Sequence, residues 1–251
     1  MIQIKNPTEL KAMMKAGELA AQALALAGKH AVPGISTWEL DKIVDDFVRS
    51  KGGHSPCKGF EGFPAHNCYS INEELIHGIA SKKKILKEGD IISCDIVAEL
   101  NGFMGDNTKT FMVGKVSEEA ERLMKYTEEA LYKGIEQAVA GNRIGDISHA
   151  IQTHVESGGY ACAEKFIGHG IGRDMHEDPE VPNEGKAGHG PRLMPGMTIA
   201  IEPMVNSHSR RVRILSDKWT VVTTDGSLSC HFEHTIAITN GEPVILTLES
   251  H

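Results

Sequence analysis

The chain has 251 residues, 40% of them apolar and 24% charged, and a formal net charge of −8. A chain of this length and balance buries a large core without disulfides or a structural metal. Its anionic surplus argues against nucleic acid as the main partner, since phosphate binding needs a cationic face.

The opening stretch, MIQIKNPTELK, has neither the apolar run nor the cleavage site of a secretory leader. Apolar stretches farther on fall well short of the roughly 20 residues that span a bilayer. A first helix is predicted where Asn6-Pro7-Thr8-Glu9 supplies a cap, a proline at the first turn and a glutamate three residues on. Leu10, Met13, Met14, Ala20, Ala23 and Leu24 then recur at helical spacing. A second helix follows Gly34, with Ser36 and Glu39 as a capping box and Leu40, Ile43 and Phe47 on one face; Gly52-Gly53 ends it. The cationic run Lys82-Lys83-Lys84 reads as a solvated turn. Strands are expected over 90–98 and 103–113, a helix over 146–157 stopped by Gly158-Gly159, and further strands over 198–205 and 232–239. The cysteines at 57, 68, 94, 162 and 230 include no CxxC pair, which suits reduced thiols in a cytoplasmic protein.

The order helix, helix, strand, strand occurs twice because the chain contains itself twice. AVPG at 31–34 matches AVAG at 138–141, an offset of 138 − 31 = 107. At the same offset Ala23-Leu24 matches Ala130-Leu131, Val48, Ser50 and Gly52 match Val155, Ser157 and Gly159, and Leu86, Gly89 and Ile92 match Leu193, Gly196 and Ile199. Two copies make a duplicated half and not a solenoid. The expected class is α+β: one catalytic domain over 1–251, built from halves at about 5–115 and 116–248 around a pseudo-twofold axis, with antiparallel strands in two sheets or one shared sheet.

The same offset places Asp95 on Glu202, each near the end of an apolar strand. Asp106 and Glu233 also correspond, each followed by a threonine at +2 and a glycine at +8. The acids are 106 − 95 = 11 residues apart in the first half and 233 − 202 = 31 in the second, an insertion of 20 residues that contains Trp219. Asn101-Gly102 is a two-residue hairpin signal, because both tolerate positive φ. If Leu100 pairs with Phe103, then Val97 pairs with Asp106, and Asp95 lies on the same face as Asp106, diagonal to it. Any one acid is most simply an exposed strand-end carboxylate. Four in register are not. Like charges held together in a partly buried cleft require protons or metal, and divalent metal is the simpler resolution. Oxygen donors with one imidazole suit Mn, Fe, Co or Zn, and paired ions recur in hydrolytic sites. The histidine candidate is His169, set among glycines at 168, 170 and 172; the absence of HExxH excludes the helix-borne zinc site.

The motifs SINEELIHGI, GDIISCDIVAELNGFMGD, GHGIGRDMHEDP, PGMTIAIEPM and HFEHT resemble those of type 1 methionine aminopeptidases, over nearly the whole chain. The resemblance implies the pita-bread fold and two divalent ions held by Asp95, Asp106, His169, Glu202 and Glu233, with Asp106 and Glu233 bridging. It implies hydrolysis of the first peptide bond of nascent polypeptides, at the ribosome exit, by a monomeric enzyme. Glu202 would move the proton, His176 would stabilise the oxyanion and His77 would bond the scissile amide. Cys57, Phe60, Phe63, Cys68, Met175 and Trp219 would line the methionine pocket; ordinary core packing is the plainer reading of Phe60 and Phe63. Asn72, Glu74 and Ser229 resemble a backbone site for a monovalent cation. Met175, Glu184 and His231 depart from residues commoner in the family, which is expected to alter the pocket and the second-residue preference but not the ligand set. Xaa-Pro aminopeptidases and prolidases share the fold and are the alternative reading, with a non-catalytic ribosome-binding relative as a second.

Overall fold

Residues 1–249 are described by the computed structural model. The first helix, α1 (Pro7–His30), starts where the sequence predicts: Asn6 accepts the backbone N–H groups of Thr8 and Glu9, and Glu9 reaches back to the Asn6 N–H. Met13, Ala20, Ala23 and Leu24 are buried as expected, whereas Met14 is turned to solvent. The second helix, α2 (Thr37–Ser50), carries the Ser36–Glu39 capping box. Its buried face is rotated from the expected one and runs through Leu40, Val44 and Val48, leaving Ile43 and Phe47 half-buried at its edge. The cause is Asp41. Its carboxylate accepts the N–H groups of His66 (3.1 Å) and Asn67 (3.0 Å), so this face must turn inward.

The strands of the first half are β1 (Cys68–Ile71), β2 (Glu74–Ile76), β3 (Ile91–Leu100) and β4 (Phe103–Met112). The hairpin β3–β4 has the expected register, Leu100 opposite Phe103 and Val97 opposite Asp106, around Asn101 and Gly102 at φ 55° and 79°. Next come α3 (Glu118–Glu136) and α4 (Ile144–Ser157), the latter two residues longer at its start than expected, because Asp146 accepts the Arg143 N–H at 2.7 Å. Short strands complete the chain: β5 (Ala161–Cys162), β6 (Gly168–Gly170), β7 (Glu177–Val181), β8 (Thr198–Ile201), β9 (Met204–Asn206), β10 (Val212–Ile214), β11 (Val221–Thr223), β12 (Ser229–His231), β13 (Glu233–Ala237) and β14 (Val244–Ile245).

One antiparallel sheet joins the two halves in the order β1-β3-β4-β13-β8-β6-β7, with β14 beside β13. The seam is β4 against β13, where Glu233 stands opposite Thr108. Two three-stranded sheets, β10-β11-β2 and β12-β9-β5, flank it. The expected strand over 198–205 is two strands in different sheets. Pro203 lacks an N–H, so the chain leaves the large sheet right after Glu202. The strand expected over 232–239 is found as β13, Glu233–Ala237, and the residues just before Phe232 form β12 in another sheet.

Alternation along the strands separates the two faces of the sheet. Ile92, Cys94 and Ile96 of β3 pack under α1 and α2 with Leu24, Leu40 and Val44. Ile199 and Ile201 of β8 pack with Leu131, Ile147 and Ile151 of α3 and α4. Asp95 and Val97 project from the opposite face. No described helix is long and apolar enough to cross a membrane.

Candidate metal centre

The face away from the helices encloses a cavity of about 820 Å³. Asp95, Asp106, His169, Glu202 and Glu233 all line it, together with His77, His176, Cys57, Phe60, Phe63, Cys68, Met175 and Trp219. Each candidate from the sequence except the monovalent-cation group therefore faces one space.

One ligand atom each from Asp106, His169 and Glu233 lies within 4.8 Å of the others. The His169 ring is held by its Nδ1–H, which donates to the Gly170 carbonyl at 2.8 Å. That leaves Nε2 as a lone-pair nitrogen facing Glu202 Oε1 at 3.4 Å and Asp106 Oδ2 at 3.8 Å. Burial pushes its pKa down to about 4, so the ring is neutral at pH 7.

The acids are held by the seam between the halves. Thr108 of β4 donates its hydroxyl to Glu233 Oε2 at 2.7 Å. Thr235 of β13 accepts the Asp106 N–H at 3.0 Å and donates to the Asp106 carbonyl at 2.9 Å. Each half thus contacts an acid of the other, Thr108 at the Glu233 carboxylate and Thr235 at the Asp106 backbone. A hydrogen bond to a charged group contributes about 1.5–3 kcal/mol where both partners are buried. The threonines at +2 were visible in the sequence, but their role depends on cross-strand pairing between halves, which no local pattern reveals. Farther back, the Asn183 side chain donates to the Glu202 carbonyl at 3.0 Å.

The electrostatics have one direction. Burial first, then Glu233, Asp95 and Glu202, push the Asp106 carboxyl well above the usual range. Burial, Glu202 and Asp95 do the same to Glu233, and burial and Asp95 to Glu202. Asp95 is raised by burial against the pull of His231 and Thr108. Asp106 Oδ1 and Glu233 Oε1 are buried with no hydrogen-bond partner among the described residues. Carboxylate oxygens that face one another and a lone-pair imidazole nitrogen, all shielded from water, fit a divalent cation.

Around this cluster His77 sits at φ 57°, its ring edge-on to Phe166 and Trp219 at 6.1 and 6.2 Å between centroids. Burial lowers its pKa to about 4. His176 packs against His169 at 4.5 Å and Phe60 at 5.6 Å, and burial lowers its pKa as well. Cys57, Phe63, Cys68, Val97 and Met175 form an apolar wall, with Trp219 edge-on to Phe63 at 5.1 Å. Phe166, Met204 and Ile76 also line the cavity, and sequence reasoning did not single them out. The inserted residues that carry Trp219 form the β10–β11 hairpin, which pairs with β2 of the other half.

Among the three departures, Met175 belongs to the apolar wall. Glu184 lies outside the cavity and pairs with Arg210. His231 is buried behind the cavity, its Nε2 3.5 Å from Glu202 Oε2. The Asn72 carbonyl accepts the Ser229 N–H at 2.9 Å, which joins two members of the monovalent-cation group by a backbone hydrogen bond.

Residues 11–240 match the model of metallopeptidase family M24. A methionine aminopeptidase of Clostridium acetobutylicum is 52% identical over 248 residues, covering 99% of both chains. The crystal structure of a methionine aminopeptidase from Thermotoga maritima superposes with a TM-score of 0.98 at 44% identity, over 99% of this chain and 100% of that one. Prolidase from Pyrococcus furiosus shares the fold at 23% identity, with a TM-score of 0.79 over 99% of this chain and 66% of its own. The chain belongs to metallopeptidase family M24, among its methionine aminopeptidases.

Proposed function

We propose that the chain is a metal-dependent exopeptidase that removes the N-terminal methionine from new polypeptides and prefers a small second residue. The observation that carries this reading is the convergence of ligand atoms from Asp106, His169 and Glu233 within 4.8 Å of one another, beside an apolar wall. Asp95, Asp106, His169, Glu202 and Glu233 would hold two ions of Mn, Fe, Co or Zn. When bound, the ions supply Lewis-acid polarisation and an activated water.

The chain's own residues do the rest. Glu202, on the cavity wall beside the acid cluster, takes a proton and returns it to the leaving amine. His176, neutral at pH 7, donates its N–H to the carbonyl oxygen as charge develops there. His77 hydrogen-bonds the scissile amide. The acid cluster receives the substrate's α-amino group, so only the first peptide bond is in reach. Cys57, Phe60, Phe63, Cys68, Met175 and Trp219 take the methionine, soft and aromatic groups against a thioether. The edge-on rings of His77, Phe166 and Trp219 crowd the cavity and favour a small second side chain.

The reading extends to nascent chain ends at the ribosome exit as substrate, to a cytoplasmic monomer, and to one domain made of two halves. Five buried free thiols and a net charge of −8 support a reducing compartment and a peptide partner over nucleic acid. The test is release of methionine from Met-Ala-Ser with added Mn or Co, set against Ala-Pro peptides. Methionine release is expected; cleavage of the proline substrates alone would move the assignment to prolidase-like activity.

A further inference from the structure

His176 lies in a turn that must hold its imidazole over the acid cluster, where its ring packs against the rings of His169 and Phe60. The next residue shows what fixes it. Glu177 points away from solvent, its side chain 3% exposed, and is ion-paired to Lys5, whose side chain is 4% exposed. Glu177 Oε1 also accepts the backbone N–H groups of Arg173 (3.0 Å) and Asp174 (3.4 Å), closing the turn on itself. The Gly172 N–H adds a bond to the Asp174 carbonyl at 3.1 Å. Lys5 is in turn anchored by its N–H to the Gly196 carbonyl at 2.8 Å. Its side chain runs along Gly172, where an added Cβ would come within 2.4 Å of Lys5 Cε. The glycine leaves a lane that the lysine fills.

A fully buried ion pair is a poor source of stability, because desolvation offsets the attraction. It is a good source of fixed geometry when both partners make further bonds, as these do. Lys5 lies outside the cavity lining and Glu177 within it, so the pair spans from the chain's start to the candidate site.

We propose that Lys5, through Glu177, is a positioning residue that holds the 172–177 turn so that the His176 imidazole faces the acid cluster. This rests on the role given to His176 above. Removing one partner alone would strand a buried charge, so the informative variant neutralises both: Lys5→Met with Glu177→Gln. Four proteins are compared on Met-Ala-Ser: wild type, the neutral pair, His176→Ala, and all three substitutions together. In the wild-type background the neutral pair is expected to lower kcat by about tenfold, with KM, bound metal and melting temperature unchanged. In the His176→Ala background it should lower kcat less than about twofold, because the group it positions is gone. An unchanged kcat in the first background, or equal losses in both, would overturn the inference and leave the role of His176 standing. If His176→Ala itself retained wild-type kcat, the role of His176 would fail first and this inference with it.

Discussion

The two halves bring a pair of acids together by different means. Asp95 and Asp106 come from the two adjacent ten-residue strands of one hairpin, and the register Val97 opposite Asp106 sets them diagonally. Glu202 and Glu233 lie 233 − 202 = 31 residues apart. The pairing of Ile201 with His234, continued by one residue, sets these two abreast. A tight turn determines the first geometry. The second is determined at the point where Pro203 takes the chain out of the sheet, and the residues between the acids build the hairpin that brings Trp219 to the cavity. The first half thus supplies two acids, His77 and most of the apolar wall, through Cys57, Phe63 and Cys68. The second half adds the group proposed to move a proton and part of the substrate wall.

The largest expected effect tests that division. Glu202→Ala should lower turnover by about 10²–10⁴-fold while circular dichroism shows the fold retained. Near wild-type turnover would deny the second half its separate role. His77→Ala should lower turnover by about 10²-fold and leave the metal content, read by elemental analysis, unchanged. A smaller effect sharpens the dependence of one half on the other. Thr108→Val removes the hydroxyl that holds Glu233 and should weaken metal binding by about tenfold in titration calorimetry. Unaltered affinity would mean that Glu233 is held without β4.

The smallest effect is a pH trend of the metal-free protein. His77, His169 and His231 are pushed from 6.5 to about 4 by burial. The unfolded chain binds more protons at these groups between those values, so they make stability rise with pH up to about 6.5. The buried acids are shifted upward, so the folded chain holds their protons longer, and their contribution falls as pH climbs above the ordinary carboxylate range. Above pH 7 the histidines no longer contribute to the trend, and the acids act together with the five buried thiols, whose pKa values burial also raises. The melting temperature of chelated protein should then decline as pH climbs above the ordinary carboxylate range, and added Mn should lessen the decline by the share of the acids. A flat or rising profile would contradict uncompensated acids in the cavity.

How much was legible in the sequence follows from how local each cause is. The hairpin register could be read because Asn101-Gly102 fixes it within two residues. The helix caps at Asn6 and Ser36 are equally local. The face of α2 was misjudged because Asp41 is turned inward by backbone groups at 66 and 67, which lie outside the helix pattern. The break at Pro203 was written in the sequence, but the apolar residues on both sides of Glu202-Pro203 obscured it. Most remaining strands span two to five residues, too few for a period to show. The acids were found because duplication registers them. The threonine clasps, the orientation of the His169 ring and the Lys5–Glu177 pair, 172 residues apart, depend on contacts that exist only in the folded chain.

The reciprocal threonine bonds carry a last implication. Because Thr108 orients Glu233 and Thr235 orients Asp106, the join of the halves and the acid cluster are one piece of architecture. Loosening β4 from β13 would scatter the charges, and whatever draws the charges together would tighten the join. A cation taken up there would act as a rivet, so that occupancy and cohesion rise and fall as a single quantity.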